Sequence, residues 1–143
     1  MAAALTVALA LSSGSCRGDD DGGSEWIGPT VVLPGEPAPV PVRRLTAAVE
    51  GLCTALKQAP DGPRAAEVTF FDESHDTLHT IARALEDVDR SSAAALLEAK
   101  QRVEADFAGG RASGGRVADD LRALVEATRA GLARLEVPAP ACE

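Results

Sequence analysis

The chain has 143 residues, a net charge of −8, 45% apolar residues and only 3% aromatics, with no Tyr, one Trp and three Phe. The length suits one domain with appendages, and an apolar fraction made mostly of Ala, Leu and Val suits closely packed helices better than a β-sandwich. The negative charge excludes unassisted binding to nucleic-acid phosphate, so no nucleic acid is expected as a partner.

Residues 2–11 form an uncharged apolar run about half the length needed to span a bilayer, followed by small residues. Such a run reads as the core of a signal peptide over residues 1–15. Ser12-Ser13-Gly14-Ser15-Cys16 comes next. Small residues directly before a Cys resemble the lipobox of bacterial lipoproteins, although Ser13 stands where that family usually has Leu. The leader also carries no Lys or Arg near Met1. The resemblance, of an actinobacterial type, implies cleavage before Cys16, acylation of its thiol and anchoring to the membrane through that lipid. The other readings of the same leader are plain secretion with cleavage near Ala10 or Ser15 and an N-terminal helix that stays attached. The resemblance reaches no motif in the rest of the chain and transfers no further residue role.

Residues 16–41 read as a tether. Asp19-Asp20-Asp21-Gly22-Gly23-Ser24 is too polar to bury, and Pro29, Pro34, Pro37, Pro39 and Pro41 favour an extended, semi-rigid spacer. A PxxP-type ligand is the functional alternative for this stretch, disfavoured because its usual readers are intracellular. Trp26-Ile27 and Val31-Val32-Leu33 interrupt the polar pattern and are expected to lie along the folded domain.

Residues 42–136 carry helical periodicity. Leu45, Val49, Leu52 and Leu56 make the first stripe, ended by Ala59-Pro60-Asp61-Gly62. The second helix begins either near Pro63, with Asp61 as cap, or at Phe70, with Thr69 as cap and Asp72 as its capping-box partner. Either start puts Phe71, Leu78, Ala82, Leu85 and Val88 on the buried face. Asp89-Arg90-Ser91-Ser92 caps a third helix burying Leu96, Val103 and Phe107, which stops at Gly109-Gly110. A fourth helix runs through Val117, Leu121, Leu124, Thr128, Leu132 and Leu135, with Pro138 and Pro140 ending it. The expected fold is all-α, an antiparallel up-down four-helix bundle followed by a tail at residues 137–143.

Three Cys is an odd number for an exported chain. With Cys16 lipidated, Cys53 and Cys142 remain to pair. An extended tail can reach back about three turns along the first helix, closing a loop of about 90 residues and stabilising the fold by about 4 kcal/mol.

Few residues suggest chemistry. Both histidines of the chain, His75 and His79, stand at i and i+4, with Asp72 three residues before His75. Counting outward from the Asp89 turn puts them level with Gln101 and Glu104 of the third helix. A Zn²⁺ or Cu²⁺ site of His75, His79 and Glu104, supported by Asp72, is the candidate metal reading. The competing reading is a polar strip between helices, which needs no cofactor. No GxSxG, P-loop, HExxH or CxxCH occurs, so no catalytic residue is assigned. The sequence therefore points to an exported, lipid-anchored, non-enzymatic helical module bound to an envelope partner. Its alternative is an extracytoplasmic metal-binding protein.

Overall fold

The computed structural model describes residues 28–110 and 112–143. The expected signal peptide, Cys16, the acidic part of the expected tether, Trp26, Ile27 and Arg111 lie outside the described residues.

The protein is mainly helical: α1 (Val42–Gln58), α2 (Pro63–Thr69), α3 (His75–Val88), α4 (Arg90–Gly109) and α5 (Gly114–Arg134). A π-helical turn, Phe70–Ser74, joins α2 to α3, so the chain stays helical from Pro63 to Val88. Before α1, β1 (Thr30–Val31) and β2 (Val40–Pro41) pair antiparallel, with Thr30 opposite Pro41 and Val31 opposite Val40.

The Pro-rich segment is thus not a free spacer over its whole length. Leu33 and Val40 are buried in the core, Val42 N–H donates to Pro29 C=O at 2.9 Å, and Glu36 is ion-paired with Arg83 of α3 at 3.0 Å. Proline, lacking an N–H, is tolerated at the edge of such a ribbon, and the apolar residues between the prolines supply the docking.

Helix ends follow local chemistry. α2 starts with Pro63 in its first turn, the earlier of the two expected starts, but Gly62 and not Asp61 is the cap residue. Thr69, the other candidate cap, donates instead to Gln58 Oε1 at 2.8 Å. Asp89 accepts from the N–H groups of Ser91 and Ser92, both at 3.1 Å, at the head of α4. Donation from the Ser91 hydroxyl and from the Ser92 N–H draws its carboxyl down to about 2. α4 stops where Gly110 turns left-handed (φ 59°), as a Gly C-terminus should. α5 stops before either expected proline: Glu136 adopts φ 58°, and the N–H groups of Glu136 and Val137 close onto Ala133 and Leu132 C=O. That pattern is a Schellman closure with Glu in the glycine position.

The core contains Leu45, Val49 and Leu52 from α1, Leu78, Ile81 and Leu85 from α3, Leu96 and Val103 from α4, and Leu121, Leu124 and Leu132 from α5. α1 packs on α2, on the π turn and on α5; α4 packs on α3 and α5. Two glycines permit the closest approaches. A Cβ on Gly51 would meet Glu73 Cβ and Ser74 Oγ at 2.7 Å, and one on Gly131 would meet Leu85 Cδ1 at 2.7 Å. Scarcity of large side chains in the sequence is matched by helices that nearly touch.

The π turn corrects the expected second stripe. It inserts one residue into the helical repeat, so the face shared with Leu78 passes through Ser74 and Phe70. Phe70 is fully buried, whereas Phe71 is 43% exposed. Ser74, also buried, donates to Ala48 C=O at 2.8 Å and secures the turn against α1. Val88, at the very end of α3, is 51% exposed and is not part of the core.

Candidate functional site

The three Phe of the chain converge around the start of α3. Ring centroids of Phe70 lie 5.0 Å from Phe71, 5.7 Å from Phe107 and 5.8 Å from His75. His75 thus rests on the Phe70 and Phe71 rings of the π turn, which Phe107 of α4 backs, with its polar edge left for partners outside them. His79, one turn on, meets the His75 ring edge-on at 4.9 Å.

Across the helix interface, His75 Nε2 lies 2.9 Å from Glu104 Oε1, and His75 Nδ1 lies 3.1 Å from Asp76 Oδ1. The register between α3 and α4 read from the sequence therefore holds at this level, with Glu104 as the partner and Gln101 exposed. Lys100, one turn before Glu104, donates from Nζ to the same Oε1 at 2.6 Å while its side chain is only 5% exposed. One carboxylate oxygen thus receives both a buried ammonium and an imidazole edge.

The electrostatics follow. Burial alone would raise the Glu104 carboxyl, but the hydrogen bond and charge of Lys100, with His75 in support, outweigh it and hold the group below its ordinary value. His79 is shifted down, first by desolvation and then by the charges of Lys100 and His75, against the opposing pull of Glu104 and Asp76. The site favours a neutral His79 beside a charged Lys100–Glu104 pair.

This arrangement differs from the expected metal set. His75, His79 and Glu104 are brought together, but as a hydrogen-bonded chain in which both His75 nitrogens face carboxylates. The Lys100 ammonium already occupies Glu104 and repels a second cation. Asp72 is exposed on the π turn, whose extra residue removes it from the helical phase it would share with His75 and His79 in a regular α-helix. Among the described residues, no group of three or more His, Cys, Asp or Glu side chains is arranged to hold a metal ion. Lys100 went unread in the sequence, although it stands at i,i+4 to Glu104, the same spacing that separates Glu98 from Arg102. Those two form an exposed ion pair at 3.0 Å.

Cys53 and Cys142 meet at disulfide distance, with Cα atoms 5.2 Å apart and a sequence separation of 89. Cys53 is buried on α1 and Cys142 is half-buried in the tail. Among the described residues no helix is long and apolar enough to cross a membrane.

Comparison with protein-family models, with curated proteins and with solved structures finds no match to this chain.

Proposed function

We propose that the protein is an exported, lipid-anchored helical module, an antiparallel up-down four-helix bundle that acts by binding an envelope partner and not by catalysis. The observation that carries the reading is the Cys53–Cys142 pair at disulfide distance. A disulfide persists in oxidising compartments and is rare where thiols are kept reduced. It also leaves Cys16 as the remaining one of the three cysteines in the sequence, at the position that the lipobox resemblance marks for cleavage. The apolar run at residues 2–11 supplies the targeting segment, and the acidic stretch after Cys16 supplies length between lipid and fold. The α1–α5 contact supports the bundle topology, because it sets the first helix beside the last.

The test is expression of the full chain in a bacterium that processes lipoproteins, followed by membrane fractionation and intact mass. The expected product lacks residues 1–15, carries a diacylglyceryl group on Cys16 and sediments with membranes. Cys16→Ser should release it from them. A chain found in the cytosol with all three thiols free would overturn the proposal.

A further inference from the structure

A second polar cluster lies where α4 meets α5. Asp106 comes from the end of α4 and Asp120 from the second turn of α5, and the guanidinium of Arg116 stands by both. Its Nε is 2.9 Å from Asp106 Oδ1 and 4.0 Å from Asp120 Oδ2. Arg102 Nε lies 3.3 Å from Asp120 Oδ1, and Arg102 Nη1 also holds Glu98.

The two aspartates differ in their surroundings. Asp106 is 6% exposed, and among the described residues its Oδ2 is a buried side-chain oxygen with no hydrogen-bond donor. Arg116 meets Oδ1, and with 69% of that arginine's side chain in solvent, water screens its charge. Asp120 also lies within hydrogen-bond reach of Asp106, but an ionised carboxylate has no hydrogen to give. Two ionised carboxylates in one place repel, and an oxygen closed off from water without a donor bears its full desolvation penalty. A single proton removes both costs. It supplies the hydrogen that neither carboxylate has, and it deletes one of two like charges.

We propose that Asp106 and Asp120 share one proton across the α4–α5 interface, a clasp that fastens the end of α4 to the start of α5 in acid and loosens when the proton leaves. Asp120, whose side chain is 19% exposed, gives that proton a route to water. On the α2 side the clasp has little packing to assist it. A cavity of about 410 Å³ lies between Pro63 of α2 and the Phe107, Ala112 and Val117 side chains at this end of the hairpin. Side chains facing a void lack dispersion partners there, so the join depends more on its polar contact.

The direction of titration agrees with the geometry. Burial, followed by the hydrogen bond with Asp120, raises the Asp106 carboxyl above the ordinary 3.8, against the lowering by Arg116. Among the described residues, the charged groups around it are Arg102 with Glu98 on α4, Asp120 and Arg116 on α5, and Arg64 with Glu67 on α2. α3 presents His75 and His79 at the level of Glu104 and Lys100. A carboxyl raised in the folded state contributes stability that is fully present below 3.8 and is lost as pH rises through the raised value. Glu104, two residues earlier and held below its ordinary value, acts in the opposite direction. The clasp is therefore read at its own carboxyls and not from the overall pH profile.

Carboxyl carbon-13 shifts of the isotope-labelled chain, followed from about pH 2 to about pH 8, report the Asp106 titration directly. Its midpoint should lie above 3.8 in the parent. It should fall by about one unit or more in Asp120→Asn, which keeps the burial and removes the second carboxylate. Asp106→Asn carries a permanent donor in place of the proton. It should share the parent's urea midpoint in acid and be the more stable of the two at neutral pH. The gap should be about tenfold in the folded-to-unfolded ratio for each unit that the parent's Asp106 midpoint stands above 3.8. Amide exchange at Phe107, Gly110 and Val117, corrected for its intrinsic pH dependence and compared with Val49 of α1, should quicken through the titration in the parent and not in Asp106→Asn. The parent titration needs no variant and stands apart from how either substitution folds. An Asp106 midpoint at or below 3.8 or a raised midpoint that Asp120→Asn leaves in place would overturn the proposal. So would an Asp106→Asn no more stable than the parent at neutral pH, or exchange that ignores the titration.

Discussion

Lys100 is a cation kept inside a small aliphatic core, and Glu104 is what keeps it there. Its side chain is 5% exposed and its ammonium donates to Glu104 Oε1 at 2.6 Å. An ammonium in that position tolerates burial only while its carboxylate stays ionised, because an unpaired buried charge bears the full loss of solvation. Glu104→Gln should therefore destabilise the fold by about 1–3 kcal/mol in urea unfolding at neutral pH, most of it from the stranded Lys100. The pH dependence has a definite sign. A Glu104 carboxyl held below its ordinary value contributes stability that is present above the normal glutamate range and is lost as pH falls through the lowered value. His79, shifted below 6.5, acts in the same direction: its share is present above 6.5 and disappears as pH falls through its folded value. Acidification should weaken the parent more steeply than Glu104→Gln over the carboxylate range. A variant as stable as the parent, with an unchanged acid limb, would show that the Lys100–Glu104 bond contributes nothing.

At the scale of elements, the π turn decides which phenylalanine builds the core. A regular helix through residues 63–88 puts Phe71 two turns before Leu78, on the same face, whereas the inserted residue hands that place to Phe70. Phe70→Ala should cost about 3–5 kcal/mol, the usual range for emptying a buried aromatic site. Phe71→Ala, at a position 43% exposed, should cost less than about 1.5 kcal/mol. Thermal unfolding of the two variants side by side reads the phase of the helix, and the reverse order would place the turn elsewhere. The same comparison marks what periodicity can reveal. The stripes of α1, α4 and α5 were legible because nothing interrupts their 3.6-residue repeat, so Leu45, Leu52, Val103, Leu121 and Leu132 were placed inside from sequence. The phase of the segment before α3 was hidden, because a π insertion leaves no compositional mark. The ribbon of β1 and β2 was hidden too: two-residue strands are shorter than any alternation pattern, and five prolines outweighed the two apolar side chains that dock it. At the candidate site, the His75–Glu104 pairing was legible through interhelix register, but Lys100 was not. Composition reads a lysine as solvated unless a partner is known.

Across the whole molecule, the chain's two ends of helical structure are joined by one covalent link. Small aliphatic side chains bury little area each, and about 115 residues leave a thin core that gains from cross-linking. The tail leaves α5 through the left-handed Glu136, buries Val137 and reaches α1, where Cys142 meets Cys53. With the two cysteines 89 positions apart in sequence, the link closes most of the described chain and removes many open conformations from the unfolded state. Cys53→Ser/Cys142→Ser should accordingly lose about 4 kcal/mol in urea unfolding under non-reducing conditions. A reductant should bring the parent down to the level of the double variant and leave the variant itself unmoved. Alkylation of the unreduced protein, recovered from an oxidising compartment, should label neither Cys53 nor Cys142 until it is reduced. Two free thiols there would remove the staple and, with it, the observation on which the extracytoplasmic reading rests. A protected pair with no loss of stability in the double variant would instead leave the location standing, and would mean that α1 and α5 hold together by packing alone.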